Sequence, residues 1–242
     1  MHTFKVRGLV LREYQTGESD KRISLFCKGR GRLMVHARGA RKSKSKFLAA
    51  SQMLTYGDYI IAEGRNFLSM SQAEVIEGFY PIRQDYDRLC SAQYIIEICE
   101  KAIPDKTPCD EILYLALKTL QHISGKYETT TRQAVVVFLF RFFLFYGVAP
   151  GMVVCCKCGG ELDDEAKFCD EGMVCGGCTG GVIALSPEAK EAILHILGQP
   201  EVSKAFMFRA KNSVLDEIDK AAQFCWNVHF VTLTSAFPKG MV

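Results

Sequence analysis

The chain has 242 residues, of which 48% are apolar and 24% charged. That length suits one to two domains, and the composition excludes a disordered, collagen-like or coiled-coil chain. The net charge of +3 hides a split: residues 1–46 carry thirteen Lys/Arg against three acids, and the remainder carries more acids than bases. A basic head on an acidic body points to a polyanionic partner for the head.

Residues 1–80 read as strands. Phe4, Val6, Gly8 and Val10 share one face at period two, and Lys5, Arg7 and Leu9 share the other. Ile23, Leu25 and Cys27 alternate with Ser24 and Phe26. Leu33, Val35 and Ala37 alternate with Arg32, Met34, His36 and Arg38, after the hairpin signal Lys28-Gly29-Arg30-Gly31. Two more strands are expected at Met53–Glu63 and Phe67–Ile76. Five short strands at this spacing fit a small barrel of the oligonucleotide-binding (OB) type. Arg41-Lys42-Ser43-Lys44-Ser45-Lys46 reads as a flexible basic loop.

From about Asp85 the period becomes helical. Leu89, Ala92, Tyr94, Ile95, Ile98, Cys99 and Ala102 mark one helix, stopped by Pro104 and Pro108. Ile112 to Ile123 marks a second, and Thr131 to Tyr146 a third that is apolar all round and so belongs at the centre of a core. Ala134 to Val154 is long enough for a membrane span. Arg141 near its middle, with Gly147 and Pro150, argues for a buried helix instead. Ser186-Pro187-Glu188 opens a helix running to about Leu197, and a last helix is expected from Ser213 to about Val231. The fold class is α+β: an N-terminal OB-fold barrel over 1–80 and a helical domain over 81–150. A four-cysteine zinc element over 151–180 and C-terminal helices over 181–242 follow, the latter packing on the helical domain.

Eleven cysteines and an N-terminus without a continuous apolar stretch indicate a reducing, cytoplasmic protein. Cys155-x2-Cys158 and Cys175-x2-Cys178 are two knuckles, each offering two thiolates from one tight turn, and together they complete a tetrahedron around one Zn2+. Four thiolates leave no position for a reacting water, so the zinc is read as structural. It would pin a segment too poor in apolar residues to fold alone. Cys156 and Cys169 remain as ordinary thiols, or Cys156 competes as a ligand.

In the basic head, Lys5 and Arg7 share a strand face, Arg32, His36 and Arg38 share another, and Arg41, Lys42, Lys44 and Lys46 lie in the loop. Together they form a phosphate-binding surface, with Tyr14, Phe26 or Phe67 as candidates to stack on bases. The chain has no phosphate-binding P-loop, no G-x-S-x-G elbow, no H-E-x-x-H motif and no nucleophile beside a base. A binding protein is favoured over an enzyme. Alternatives are a protein-interaction scaffold with a basic face, a zinc-stabilised sequence-specific regulator, and a nuclease.

Gly8-Leu9-Val10-Leu11-Arg12, Thr16-Gly17-Glu18-Ser19-Asp20, Gly39-Ala40-Arg41-Lys42 and Ser45-Lys46-Phe47 resemble the head of the RecO family of bacterial recombination mediators. Arg141-Phe142-Phe143 to Gly147-Val148-Ala149-Pro150 resembles its core helix, and the two knuckles with Phe168 between them resemble its zinc element. A looser likeness covers His229 to Ser235. The resemblance implies binding to single- and double-stranded DNA, strand annealing, and partnership with RecR. It also implies binding to the acidic tail of single-stranded DNA-binding protein, help in loading RecA, and a nucleoid-associated location without a membrane. The tail would dock on the helical domain, with Arg132 and Arg141 as candidate contacts. Their structural alternatives are a solvated helix start for Arg132 and a buried acid partner for Arg141.

Overall fold

The computed structural model describes residues 2–230. Its chain divides into two compact units, residues 1–120 and 121–242.

The first unit is built on β1 (His2–Thr16), β2 (Asp20–Cys27), β3 (Gly31–Ala37), β4 (Tyr56–Glu63) and β5 (Leu68–Glu77). These are the five strands the alternation predicts. They run in the closed order β1-β2-β3-β5-β4, with β4 returning to β1 and only β3 and β5 parallel. β1 serves two neighbours: His2 to Leu9 pairs with β4, and Gly8 to Thr16 with β2, with a bulge between Val10 and Arg12. Where the two pairings overlap, Gly8 faces Gly57. A Cβ on either would come within 2.7 or 2.4 Å of the Phe26 or Glu74 carbonyl oxygen, so the close approach requires glycine at both positions.

Val6, Val10, Ile23, Leu25, Leu33, Val35, Tyr59 and Ile61 fill the interior. The segment leading from β3 to β4 packs Phe47 and Ala50 onto the same core, and the Tyr59 hydroxyl donates to the Ala50 carbonyl at 2.9 Å. The stretch expected as a flexible loop is therefore a run of hydrogen-bonded turns: Lys42 N–H to Gly39 O, Ser45 N–H to Lys42 O, Leu48 N–H to Ser45 O. Its buried residues are apolar and its lysines are exposed.

Three helices follow: α1 (Tyr80–Arg83), α2 (Tyr86–Ala102) and α3 (Asp110–Ile123). α2 starts where the Asp85 carboxylate accepts the Arg88 N–H at 3.0 Å and ends just before Pro104, which has no N–H to continue it. It packs on β1. Near its end the buried Glu100 accepts from Ser24 at 2.6 Å and Tyr14 at 3.3 Å, and pairs with Arg32 at 3.0 Å. The outer faces of β1, β2 and β3 are thereby tied to α2. One expectation is corrected here. Phe26, considered for base stacking, is fully buried, because the outer face of β2 is covered rather than solvated. Tyr14 is engaged with Glu100.

The second unit holds α4 (Thr131–Tyr146), β6 (Lys167–Cys169), β7 (Gly172–Val174), β8 (Ile183–Ala184), α5 (Pro187–Gly198), α6 (Val202–Ala205) and α7 (Asn212–His229). α4 is capped by the Thr130 side chain, which accepts from Gln133 N–H, and ends at Gly147 in the left-handed conformation. Every residue from Gln133 to Phe143 is buried, which is why the helix is apolar all round. α5 and α7 pack on it. Phe142, Phe143, Tyr146, Trp226 and Phe230 form one aromatic cluster between α4 and the end of α7. α5 begins with the expected cap, Ser186 accepting from Ala189 N–H at 3.3 Å. The expected helix end at Val231, and the Val231–Ser235 part of the family resemblance, lie outside the described residues. Among the described residues no helix is long and apolar enough to cross a membrane.

Arg141 is the exception in the apolar α4. It is buried, and among the described residues its partners are carbonyl oxygens and not an acid. Its Nη1 donates to the carbonyls of Ile196, Leu197 and Gln199 at 3.3, 3.5 and 2.7 Å. A cation there satisfies the last carbonyls of α5 and meets the negative end of its dipole. Arg141→Leu keeps much of the bulk and orphans those oxygens. It is expected to lower unfolding free energy by ~2–3 kcal/mol, read as a reduced midpoint in urea. An unchanged midpoint would show the guanidinium to be dispensable.

Candidate metal centre and nucleic-acid interface

The two knuckles flank the β6–β7 hairpin of the small sheet β7-β6-β8. β6 and β7 form a hairpin, and Cys155–Cys158 and Cys175–Cys178 lie on the turns before and after it. Each turn is closed by its own backbone: Gly159 N–H donates to Cys155 O, Cys155 N–H to Gly160 O, and Cys178 N–H to Cys175 O. Gly159 takes the positive φ that this turn needs. As a result the four sulfurs all lie within 4.8 Å of one another. Cys158 and Cys175 Sγ are 3.8 Å apart, the edge of a tetrahedron with metal–sulfur bonds of ~2.3 Å.

The thiols are electrostatically unequal. Backbone N–H donors, that of Cys175 first, pull Cys155 down to about 6. Sharing a hydrogen bond with Cys175, and then with Cys158, pushes Cys178 up to about 12. Four thiols this close cannot all ionise unless a cation compensates them, so the donor set suits a thiophilic divalent ion. Around the quartet, Asp163 accepts the Gly176 N–H at 3.0 Å and Lys157 pairs with Glu171 at 2.7 Å. Cys156 does not join the quartet. Its sulfur lies 3.6 Å from that of Cys169, where burial pushes it up to about 11. Cys155, Cys169 and Val174 form a small core onto which Phe224 of α7 packs.

The expected DNA-binding cations separate into three groups. Lys5 and Arg7 both reach Asp58, at 3.0 and 2.7 Å, and both remain exposed. Hydrogen bonds from Arg7 and Lys5 hold the Asp58 carboxyl well below the usual carboxylate range. Arg32 is half-buried and engaged: it pairs with Glu100 at 3.0 Å and Asp105 at 2.9 Å. Its role is to fasten the barrel to α2, which alternation alone does not disclose. Arg38, Lys42 and Lys44 are exposed and make no ion pair among the described residues. Arg41 is exposed but anchors the turn by donating to Gly17 and Glu18 carbonyls. Lys46 donates to Ser71 O at 3.2 Å.

Three further cations belong to the same unit and carry no motif of their own. Arg22 stands beside His36 in the β2–β3 register. Arg30 at the β2–β3 turn and Arg65 at the β4–β5 turn line a groove of about 730 Å³, together with Phe4 and Phe67. Their only sequence signal is membership of predicted turns. In the second unit, Arg132 pairs with Asp216 and Asp219 on α7. Burial raises Asp219, while the two carboxylates raise Arg132 against its own burial. The pair is an internal brace between α4 and α7.

The family model described as "Recombination protein O N terminal" matches residues 1–79, and that described as "Recombination protein O C terminal" matches residues 83–230. A protein named DNA repair protein RecO from Acetivibrio thermocellus is 33% identical over 228 residues, covering 92% of this chain and 90% of its own. One of that name from Symbiobacterium thermophilum is 28% identical, covering 91% and 90%. Another, from Exiguobacterium sibiricum, is 34% identical over 164 residues, covering 68% and 64%.

Proposed function

The chain belongs to the RecO family of DNA repair proteins, and from that premise we propose that it acts as a recombination mediator that grips DNA by its phosphates. In this reading it binds single and double strands, anneals complementary strands, and helps load RecA onto strands coated by single-stranded DNA-binding protein. RecR and the acidic tail of that coating protein are its partners. The barrel is of the OB type, a reading supported by the strand order and the single parallel β3–β5 pair. The Cys155, Cys158, Cys175 and Cys178 quartet holds one Zn2+ with a structural role, supported by the all-thiolate donor set and its spacing. The function is binding without catalysis.

The observation that carries the reading is the placement of Arg38, Lys42 and Lys44: exposed, without ion pairs among the described residues, and backed by hydrogen-bonded turns. A charge cluster pinned by backbone turns keeps its shape when it meets a polyanion. Phosphate contacts release counterions from each strand. Two strands held against one cationic surface repel each other less, so their pairing is faster. Because phosphates carry no sequence, the binding tolerates any base order. Mixing labelled complementary oligonucleotides, coated with their single-strand-binding protein, tests the reading. The protein should accelerate duplex formation, and a rate equal to the uncatalysed one would overturn it.

Asp58 supplies a second test. Its carboxylate is ionised at all working pH values and offsets one of the two positive charges of Lys5 and Arg7. Its contribution to stability is full above the unfolded carboxylate pKa of ~3.9 and is lost only as pH falls toward the depressed folded value. Asp58→Asn frees those cations. The salt dependence of single-strand binding should steepen by up to ~0.7 for each cation that gains a phosphate. A slope equal to that of the parent would place Lys5 and Arg7 off the DNA path.

A further inference from the structure

The surface that grips phosphates runs into a groove of different chemistry. The groove of about 730 Å³ lies among the start of β1, the β2–β3 turn and the β4–β5 turn. Phe67 stands at its rim, 43% exposed, and is held by the turn beneath it, where Gly64 N–H donates to Phe67 O at 3.0 Å. Its ring lies 5.0 Å from the His36 ring and 5.7 Å from the Arg38 guanidinium. Arg38 leads directly into the lysine turns. Also lining the groove, Arg30 lies over the Phe4 ring at 4.2 Å, so a guanidinium plane backed by an aromatic ring borders the space. Arg65 adds a cation at the turn tip. Of the groove's two acids, Asp105 pairs with Arg32 at 2.9 Å, and Glu63 lies 3.6 Å from the His2 ring.

We propose that this groove is a base-stacking subsite for unpaired nucleotides, specific for single strands and adjoining the phosphate-gripping turns. The inference rests on the DNA-binding reading above and assigns the single-strand component of that binding to Phe67, the Phe4–Arg30 stack and Arg65. Aromatic rings and guanidinium planes stack on base faces, and a base shows its face only when it is out of the duplex. Two stacking surfaces within one groove of this volume accommodate a short run of splayed bases, with Arg65 on the backbone between them. A duplex presents only edges and phosphates here, and gains nothing from the rings. The arrangement gives a mediator a means of holding one strand with its bases already unstacked.

The test is anisotropy of a labelled oligothymidylate and of a labelled duplex of equal length, with the full chain and its Phe67→Ala and Phe67→Tyr variants at several salt concentrations. Phe67→Ala should weaken single-strand binding about tenfold, with the salt slope unchanged, and leave duplex binding within about twofold. Phe67→Tyr keeps a ring and should bind as the parent does. Equal losses on both substrates, or no loss on either, would overturn the subsite. A parent protein that binds neither substrate would overturn the DNA-binding reading itself, a failure visible before any variant is compared. Since Phe67 is exposed, folding is checked by the melting curve, and retained binding by Phe67→Tyr separates a lost ring from a disturbed turn.

Discussion

Replacing Cys155 and Cys158 together by serine is expected to abolish metal binding and unfold the segment between α4 and α5. That segment has little else to hold it. Its three strands have three, three and two residues, and its buried apolar side chains besides the cysteines are Met152, Ala166, Phe168, Met173, Val174 and Leu185. Structural zinc sites contribute ~10–16 kcal/mol of apparent binding free energy, a large share of what holds so small a unit together. The parent should contain one zinc per chain by metal analysis and the double variant none, with a melting midpoint lower by ~10 °C or more. Cys156→Ser should retain the zinc, because that sulfur faces Cys169 rather than the quartet. Full metal content in the double variant, or none in the parent, would contradict the assignment.

The second large effect is expected from Lys42→Ala, Lys44→Ala and Lys46→Ala combined. These side chains are exposed and project from backbone-bonded turns; Lys46 also donates to the Ser71 carbonyl, so a melting curve checks that the fold is kept. Three lost phosphate contacts make the log–log salt slope on single strands shallower by about 2, and weaken binding roughly 100-fold at ~0.1 M salt. The loss should be the same for every sequence, and similar in kind for duplex, since phosphates are common to both. A loss confined to one sequence would favour a sequence-specific regulator. An unchanged affinity would remove the turns from the interface. The contrast with Phe67→Ala is diagnostic: the lysines set the salt slope and the ring does not.

Much of this is legible in the sequence because it depends on local periodicity or spacing. One face of each barrel strand meets the interior, so period two survives in Ile23, Leu25, Leu33 and Val35. The helix starts at Asp85, Thr130 and Ser186 follow from side chains that accept the first free N–H groups. The knuckles follow from the spacing that a tetrahedral ion requires. What escapes depends on contacts far apart in the chain. Phe26 and Arg32 face outward by alternation, but Glu100 of α2 covers that face from 76 residues beyond Ser24. An acid close to Ile95, Ile98 and Cys99 is the only hint. Arg141 is open to an acid partner by sequence, and it takes carbonyl oxygens instead, which carry no sequence signal. The groove at Phe67 exists because barrel closure brings two turns and the start of β1 together, beside Asp105 and Lys106 from the segment after α2.

The central claim is that a pinned cationic surface binds DNA by its phosphates. The most direct measurement is the anisotropy of a labelled single-stranded oligonucleotide titrated with the full chain, using two unrelated sequences over a range of salt. The account predicts equal affinities for the two sequences and a linear fall of log affinity with log salt, steep enough to report several phosphate contacts. No binding at low salt, or binding that ignores salt and depends on sequence, would contradict it.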